Sequence, residues 1–395
     1  MKRRVVLLVL VLIAVVLASV SAQDNRALQA YRDRFRESSP EIKLQILQTA
    51  DMLPADELGP LYVEAVQFVL TNADEIESDN TLREIALFAT EKIGEGGYTP
   101  ATSSLWSLFV EYDDNTSRIL ILDVLGSIGG GDAELIIDLN GWVQAQANLY
   151  RGGVMPDQQV LRNAVQTLGD LADASSFPVL LDVQLAQISD PITDDARASM
   201  DALPGDFVEY AVATTNARDV ADRLPALDFF LNDASLSGDE HSQIAAGVLA
   251  EALREVFRSS TDLEAQRRVR YRAVQQLIDV PRPQATGSLI RHFNVTFADY
   301  DRGFTTKTWV LEAIAALGAS GTEDAAVRLT AFLDLLNTYT ENDRPYDTQI
   351  MLAVVTNLED LGSIVAYDAL FYVTLLEYPQ RVRDAARQAI DAITR

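Results

Sequence analysis

The stretch Leu161-Arg162-Asn163-Ala164-Val165-Gln166-Thr167-Leu168-Gly169-Asp170-Leu171-Ala172-Asp173-Ala174, closing with Phe177-Pro178-Val179-Leu180-Leu181, decides how this chain is read. Its apolar residues recur at steps of three and four, so they share one face of a helix. A Leu-Gly pair reads as a stop, and a second apolar helix follows. The same Leu-Gly phrase returns at Leu125-Gly126, Leu317-Gly318 and Leu361-Gly362, with Ile93-Gly94 as a looser copy. Gly126 and Gly169 lie 43 residues apart, and Gly318 and Gly362 lie 44 apart. Recurrence at that interval is the mark of stacked helix pairs, in which no pair can bury its apolar face alone.

Working outward, the pattern predicts helix pairs at 40–51 with 55–71, 80–94 with 100–111, and 116–128 with 132–150. Pairs at 157–172 with 175–188 and 192–203 with 205–213 follow. The middle, 205–260, is less regular, with helices expected near 217–233 and 239–258. Beyond it come 262–279 with 283–299, 305–318 with 322–340, 346–361 with 363–377, and a last helix at 379–394. In 346–361 the stripe is Ile350, Met351, Val354, Val355, Leu358 and Leu361, and Gly362 suits a left-handed C-terminal cap. Residues 23–38, with Leu28, Tyr31 and Phe35 on one face, read as a capping helix, and Pro40 suits a helix start. No strand-like alternation persists.

The chain begins Met1-Lys2-Arg3-Arg4, runs apolar from Val5 to Ala18, and reaches Val20-Ser21-Ala22. A basic start, a short apolar core and small residues describe a secretory signal peptide over 1–22, cleaved after Ala22. The run is short for a membrane span, which needs about 20 apolar residues. Cysteine is absent, so no disulfide holds the exported chain and its apolar core must do so. The expected location is periplasmic or secreted.

The net charge is −26, or −29 without Lys2, Arg3 and Arg4. Nucleic acid is excluded as a partner class, because phosphate binding needs a basic surface. Charge is unevenly spread. Residues 182–240 hold thirteen acids and three arginines, whereas 254–302 hold nine arginines and six acids. Within the second segment Arg267, Arg268, Arg270 and Arg272 form a candidate site for an acidic protein or peptide, since the planar guanidinium suits carboxylates. They cannot all share one helix face, so some are expected to bridge to acidic neighbours instead.

The phrase at 161–181 resembles a bacterial HEAT repeat. Asp195-Ala196-Arg197-Ala198-Ser199-Met200-Asp201-Ala202-Leu203 and Val382-Arg383-Asp384-Ala385-Ala386-Arg387-Gln388-Ala389-Ile390 resemble fragments of it. The resemblance to HEAT and armadillo repeats implies an all-α, right-handed α-solenoid over 23–395 that presents a face to another macromolecule. Stacked second helices would form that face, and Leu125, Leu168 and Leu317 would be structural.

Chemistry-bearing motifs are sparse. His241 and His292 fall in different helix pairs, and neither H-E-x-x-H nor Gly-x-Ser-x-Gly occurs. Asp233 to Asp239 loosely matches a calcium loop, but its twelfth position is Ile244 where a bidentate Glu is needed, so Asp239 is expected to cap the next helix. Gly129-Gly130-Gly131 lacks the Lys-Ser/Thr of a phosphate loop and reads as a connection before an Asp132 N-cap. Trp106, Trp142 and Trp309 each fit an apolar stripe. No cofactor or metal is expected. A protein-binding scaffold in the cell envelope is the favoured function. An all-helical enzyme with carboxylates acting on an envelope polymer, and a carrier of an apolar ligand, are the alternatives. In a eukaryotic secreted setting, Asn115-Thr116-Ser117 and Asn294-Val295-Thr296 would be glycosylation sequons.

Overall fold

The computed structural model describes residues 27–52, 55–76, 78–344 and 347–395. The expected signal peptide, 1–22, lies outside them. The chain divides into two compact units, one running to Gly205 and the other Asp206–Arg395. Among the described residues both are all-helical.

The first unit contains α1 (27–37), α2 (Pro40–Ala50), α3 (Ala55–Thr71), α4 (Asn80–Gly96) and α5 (Thr102–Glu111). It continues with α6 (Asn115–Ile128), α7 (Ala133–Arg151), α8 (Gln158–Leu171), α9 (Phe177–Ala186) and α10 (Asp190–Ala202). The helices sort into two rows. α2, α4, α6, α8 and α10 stack one on the next, and α3, α5, α7 and α9 stack beside them. Phe35 of α1 meets Phe68 of α3 edge-on at 6.2 Å, and Arg32 pairs with Glu64. Lys43 locks this end. Its buried ammonium lies 4.5 Å and 4.7 Å over the Phe35 and Phe68 rings and donates to the Phe35 and Arg36 carbonyls that close α1.

The second unit contains α11 (Phe207–Ala217), α12 (Val220–Leu231), α13 (Gly238–Ala252), α14 (Ser260–Asp279) and α15 (Thr286–Asp301). Then come α16 (Lys307–Ala319), α17 (Glu323–Glu341), α18 (Thr348–Leu361), α19 (Tyr367–Leu375) and α20 (Gln380–Ile393). The even helices α12 to α20 and the odd helices α11 to α19 again form two rows. Each unit is thus a stack of antiparallel helix pairs, the α-solenoid arrangement, with its core between the rows. Leu125, Leu168 and Leu317 are fully buried there.

Local chemistry explains the starts. Asp79, Asp114, Asp132, Asp157, Asp206 and Asp347 are N-caps whose carboxylates accept backbone N–H bonds from the first turn. Part of the acidic excess is therefore capping. Gly362 takes the left-handed C-cap, with φ of 64°. Several second helices begin with a 3-10 turn instead, at Ala174–Ser176, Pro283–Ala285 and Ile364–Ala366. The helix expected over 239–258 ends at Ala252.

The Leu-Gly phrase has a different meaning from the expected stop. Gly126, Gly169 and Gly318 all lie inside their helices. They sit where the next helix of the even row comes closest. A Cβ on Gly126 would meet Asp170 Oδ2 at 3.2 Å, and one on Gly318 would meet Asn357 Cβ at 2.9 Å. At Gly169 it would meet Ser199 Cβ at 3.0 Å and Cα at 3.1 Å. Close stacking, not chain termination, requires the missing side chain. Gly169→Val should therefore destabilise the first unit by about 1–3 kcal/mol through overpacking. Gly130, with no atom near its would-be Cβ, supplies the control: Gly130→Ala should leave the urea midpoint nearly unchanged. Equal midpoints for both variants would refute the close-approach role.

Candidate binding groove

Two helices of the second unit, α12 and α14, face each other across an open groove of about 570 Å³. Val220, Ala221, Leu224 and Pro225 form one wall, and Ser260, Thr261, Glu264, Ala265 and Arg268 the other. Each set repeats at steps of one, three and four, so each is a single helix face. Small residues, Ala221 and Ala265, leave room between the ridges. The opposite side of α12 carries the core residues Ala226, Leu227 and Phe230.

Backbone polarity enters at both walls. Pro225 lies inside α12 and has no N–H, so the Ala221 carbonyl loses its helical donor. At the mouth, α14 starts without a side-chain cap, since the Ser259 hydroxyl makes no cap bond. Its first-turn N–H groups carry the positive end of a 20-residue helix, offset in part by Asp262 in the same turn.

The walls are pinned around the groove. Arg272 of α14 donates to Asp228 of α12 at 2.7 Å. Arg223 is buried and makes a two-pronged pair with Glu255, just beyond α13. The connection leading into α14 is the opposite in character. Val256 is 91% exposed, between the exposed Arg254 and Arg258. Arg254 pairs with Glu251, and Arg258 makes no ion pair among the described residues.

The four arginines singled out from the sequence diverge, as their spacing requires. Arg267 donates to Asp299 at 3.0 Å, with its guanidinium over the Phe304 ring. Arg270 is buried, 3.7 Å from the same Asp299, and its Nε has no partner. Burial lowers its guanidinium to about 10, against the opposing pull of Asp299. Arg272 is the bridge to Asp228. Only Arg268, whose side chain is 63% exposed, lines the groove, where it pairs with Glu264 one turn earlier. The structure therefore does not bring the four together on one surface.

The other residues read for chemistry are also separate. His241 bonds the Asp233 carbonyl through Nε2 at 3.0 Å. His292 is buried in α15, with Nε2 3.2 Å from the Thr296 hydroxyl and Nδ1 unpartnered. Ser237, not Asp239, caps α13, in a capping box with Glu240, while Asp239 pairs with Arg282. The geometry favours Ser237 because it stands three residues before Glu240, so the two can exchange bonds. Asp132 caps α7 as its position implies. Trp106 stacks on Phe109 at 5.0 Å, Trp142 meets Phe109 edge-on at 5.2 Å, and Trp309 stacks on Tyr271 at 4.6 Å. A smaller hollow of about 180 Å³ lies beside Trp106, but its Asp132 is committed to capping and to the Thr102 hydroxyl. Among the described residues, no three His, Asp or Glu gather as a metal ligand set, and no helix is long and apolar enough to cross a membrane.

The groove itself was not read from the sequence. Pro225, inside an otherwise continuous helical pattern, is the sequence signal that falls in it.

No family model matches the chain, and no curated protein does. Among solved structures, one similar chain comes from work on a phosphorylation switch controlling the interaction between cadherin and beta-catenin. It is 11% identical, with 95% of this chain and 96% of that chain covered and a TM-score of 0.33. Another comes from the computational design of self-assembling cyclic homooligomers, at 12% identity, 87% and 93% coverage, and a TM-score of 0.12.

Proposed function

We propose that this chain is an exported helical-repeat scaffold of the HEAT or armadillo type. It binds an acidic protein or peptide segment in the groove between α12 and α14. The observation that supports this reading most is the apolar floor, Val220, Leu224 and Pro225, faced by the exposed Arg268 on the opposite wall. Arg258, two residues before the groove residue Ser260, makes no ion pair among the described residues, and the start of α14 has no side-chain cap, with Asp262 in its first turn. An extended segment would set apolar side chains on the floor and its carboxylates at the edge. Glu264 in the same wall tempers the charge and favours mixed acidic-apolar segments over acidic runs.

An array of peptides with alternating Asp/Glu and apolar residues tests this. Arg258→Gln/Arg268→Gln should weaken the best peptide by about tenfold, since each exposed cation contributes on the order of 0.5–1 kcal/mol. Leu224→Glu, which fills the floor and sets a like charge against the acidic segment, should abolish binding while circular dichroism stays unchanged. Indifference of every peptide to both variants would sink the groove as a peptide site. A second reading has one observation in its favour: the groove is apolar and sized for a small molecule. Denaturing mass spectrometry that releases a stoichiometric lipid from purified protein would favour that carrier reading. Export is tested separately, by sequencing the N-terminus of the exported protein, which should begin at Gln23.

A further inference from the structure

The last odd-row helix, α19, differs from the rest of its row. Ala369, Leu370 and Val373 face the core. Tyr367, Phe371 and Leu375 recur at steps of four on an outward face, and Ile364 in the 3-10 turn just before α19 extends them into one apolar stripe. Ile364 and Leu375 are 63% and 64% exposed, and Phe371 is 48% exposed. The Tyr367 and Phe371 rings lie parallel, 6.3 Å apart. Scattered apolar residues on a surface need no explanation, but a contiguous stripe of this length does. Elsewhere on this unit's odd row the exposed large apolar residues, among the described residues, are Val295 on α15 and Val327 and Leu335 on α17, which form no stripe at steps of three and four.

Beside the stripe stand carboxylates without cations. Asp368 lies on α19 itself, and Asp334 on α17 is close enough that burial and the Asp368 charge together raise its carboxyl. Neither makes an ion pair among the described residues. Glu341 accepts the Tyr372 hydroxyl. Two like charges held together at the edge of an apolar stripe favour a cation from outside.

We propose that α19 docks an amphipathic helix of another protein, one carrying lysine or arginine along the edge of its apolar ridge. The three-and-four spacing fits the ridge of a helix. The charge decides between occupants. A second copy laid on the same patch would bring another Asp334 and Asp368 to one surface, on a chain already at −26. A basic helix relieves the repulsion that a second copy would double. This surface is independent of the groove, so either can fail alone.

The probe is a synthetic helix with leucine at heptad positions a and d and lysine at e and g, followed by fluorescence anisotropy at physiological salt. A matched peptide with glutamate at e and g is the control. The lysine peptide should bind, and the glutamate peptide should bind at least about tenfold more weakly. Phe371→Ser/Leu375→Ser should cut affinity for the lysine peptide by about tenfold or more, since both side chains are exposed and dispensable for folding. Asp334→Asn/Asp368→Asn should cut it severalfold, and tests the charge without touching the stripe. No binding of the lysine peptide overturns the proposal. So does equal binding by wild type and the Phe371→Ser/Leu375→Ser variant, which would mean general attraction to an acidic protein. Sedimentation showing a dimer that the serine variant returns to monomer, with no peptide competition, overturns it in favour of a second copy. Uptake on phosphatidylcholine vesicles that only the serine variant loses, again without peptide binding, overturns it in favour of a lipid surface.

Discussion

Between pH 7 and pH 4 the wild-type protein should lose about 3 kcal/mol more stability than His292→Leu. His292 is buried in α15, and burial, with the neighbouring Arg270 charge added, lowers its imidazole to about 3 from the ordinary 6.5. Arg270 stays charged throughout that range and cannot move away, because it too is buried. Below pH 6.5 the unfolded chain takes up a proton on this histidine and the folded chain does not. Stability is therefore full above 6.5 and falls as pH drops towards 3, at about 1.4 kcal/mol per pH unit. The N-cap carboxylates add a separate loss at lower pH. Bonds from the Ser117 hydroxyl and amide hold Asp114 below its usual range, and the Thr102 hydroxyl and the Leu135 amide do the same for Asp132. Their stabilisation is present above the ordinary carboxylate pKa and lost as pH falls through the lowered one. Both proteins share that loss, so it cancels in the difference. Urea midpoints across the pH series would decide the matter. Parallel curves for the two proteins would mean that His292 is protonated, or reached by water, in the folded state.

Phe332→Ala should cost about 3–5 kcal/mol, the range for deleting a buried aromatic ring. Phe332 projects from α17 into the seam with α15, where no part of it reaches solvent. Its ring meets Phe293 edge-on at 5.0 Å and Phe297 at 4.8 Å. Arg328, on the same helix, covers the Phe293 ring at 4.7 Å. Truncation would leave a cavity between two odd-row helices and remove both edge-to-face contacts. Phe332→Leu should cost markedly less, because most of the volume is kept. Phe371→Ala on the exposed stripe should change stability by no more than about 0.5 kcal/mol, as is usual for surface positions. Chemical denaturation of the three variants checks the ordering. A Phe332→Ala loss as small as that of Phe371→Ala would mean that the aromatic seam does not hold the second unit together.

The helices and most of their ends were legible in the sequence, because those features are local. The stripe Ile350, Met351, Val354, Val355 and Leu358 is buried as its spacing implies, Pro40 opens α2, and Asp132 and Gly362 cap where their chemistry suits a cap. The positional meaning of the Leu-Gly phrase was not legible. Gly169 resembles a helix stop in one dimension and becomes a packing site only when Ser199, 30 positions on, is brought against it. The arginines follow the same logic. Their divergence around α14 is a local property, and the sequence showed that they could not share a face. Which of them would be sequestered depended on Asp299 and Asp228, which lie on other helices.

The sequence by itself determined an all-helical chain of paired, capped, amphipathic elements, since side chains one helical turn apart carry that information. Only the tertiary structure decided which faces were left over. The α12–α14 groove and the α19 stripe exist because neighbouring helices cover some apolar residues and leave others open, and that depends on contacts between residues tens of positions apart.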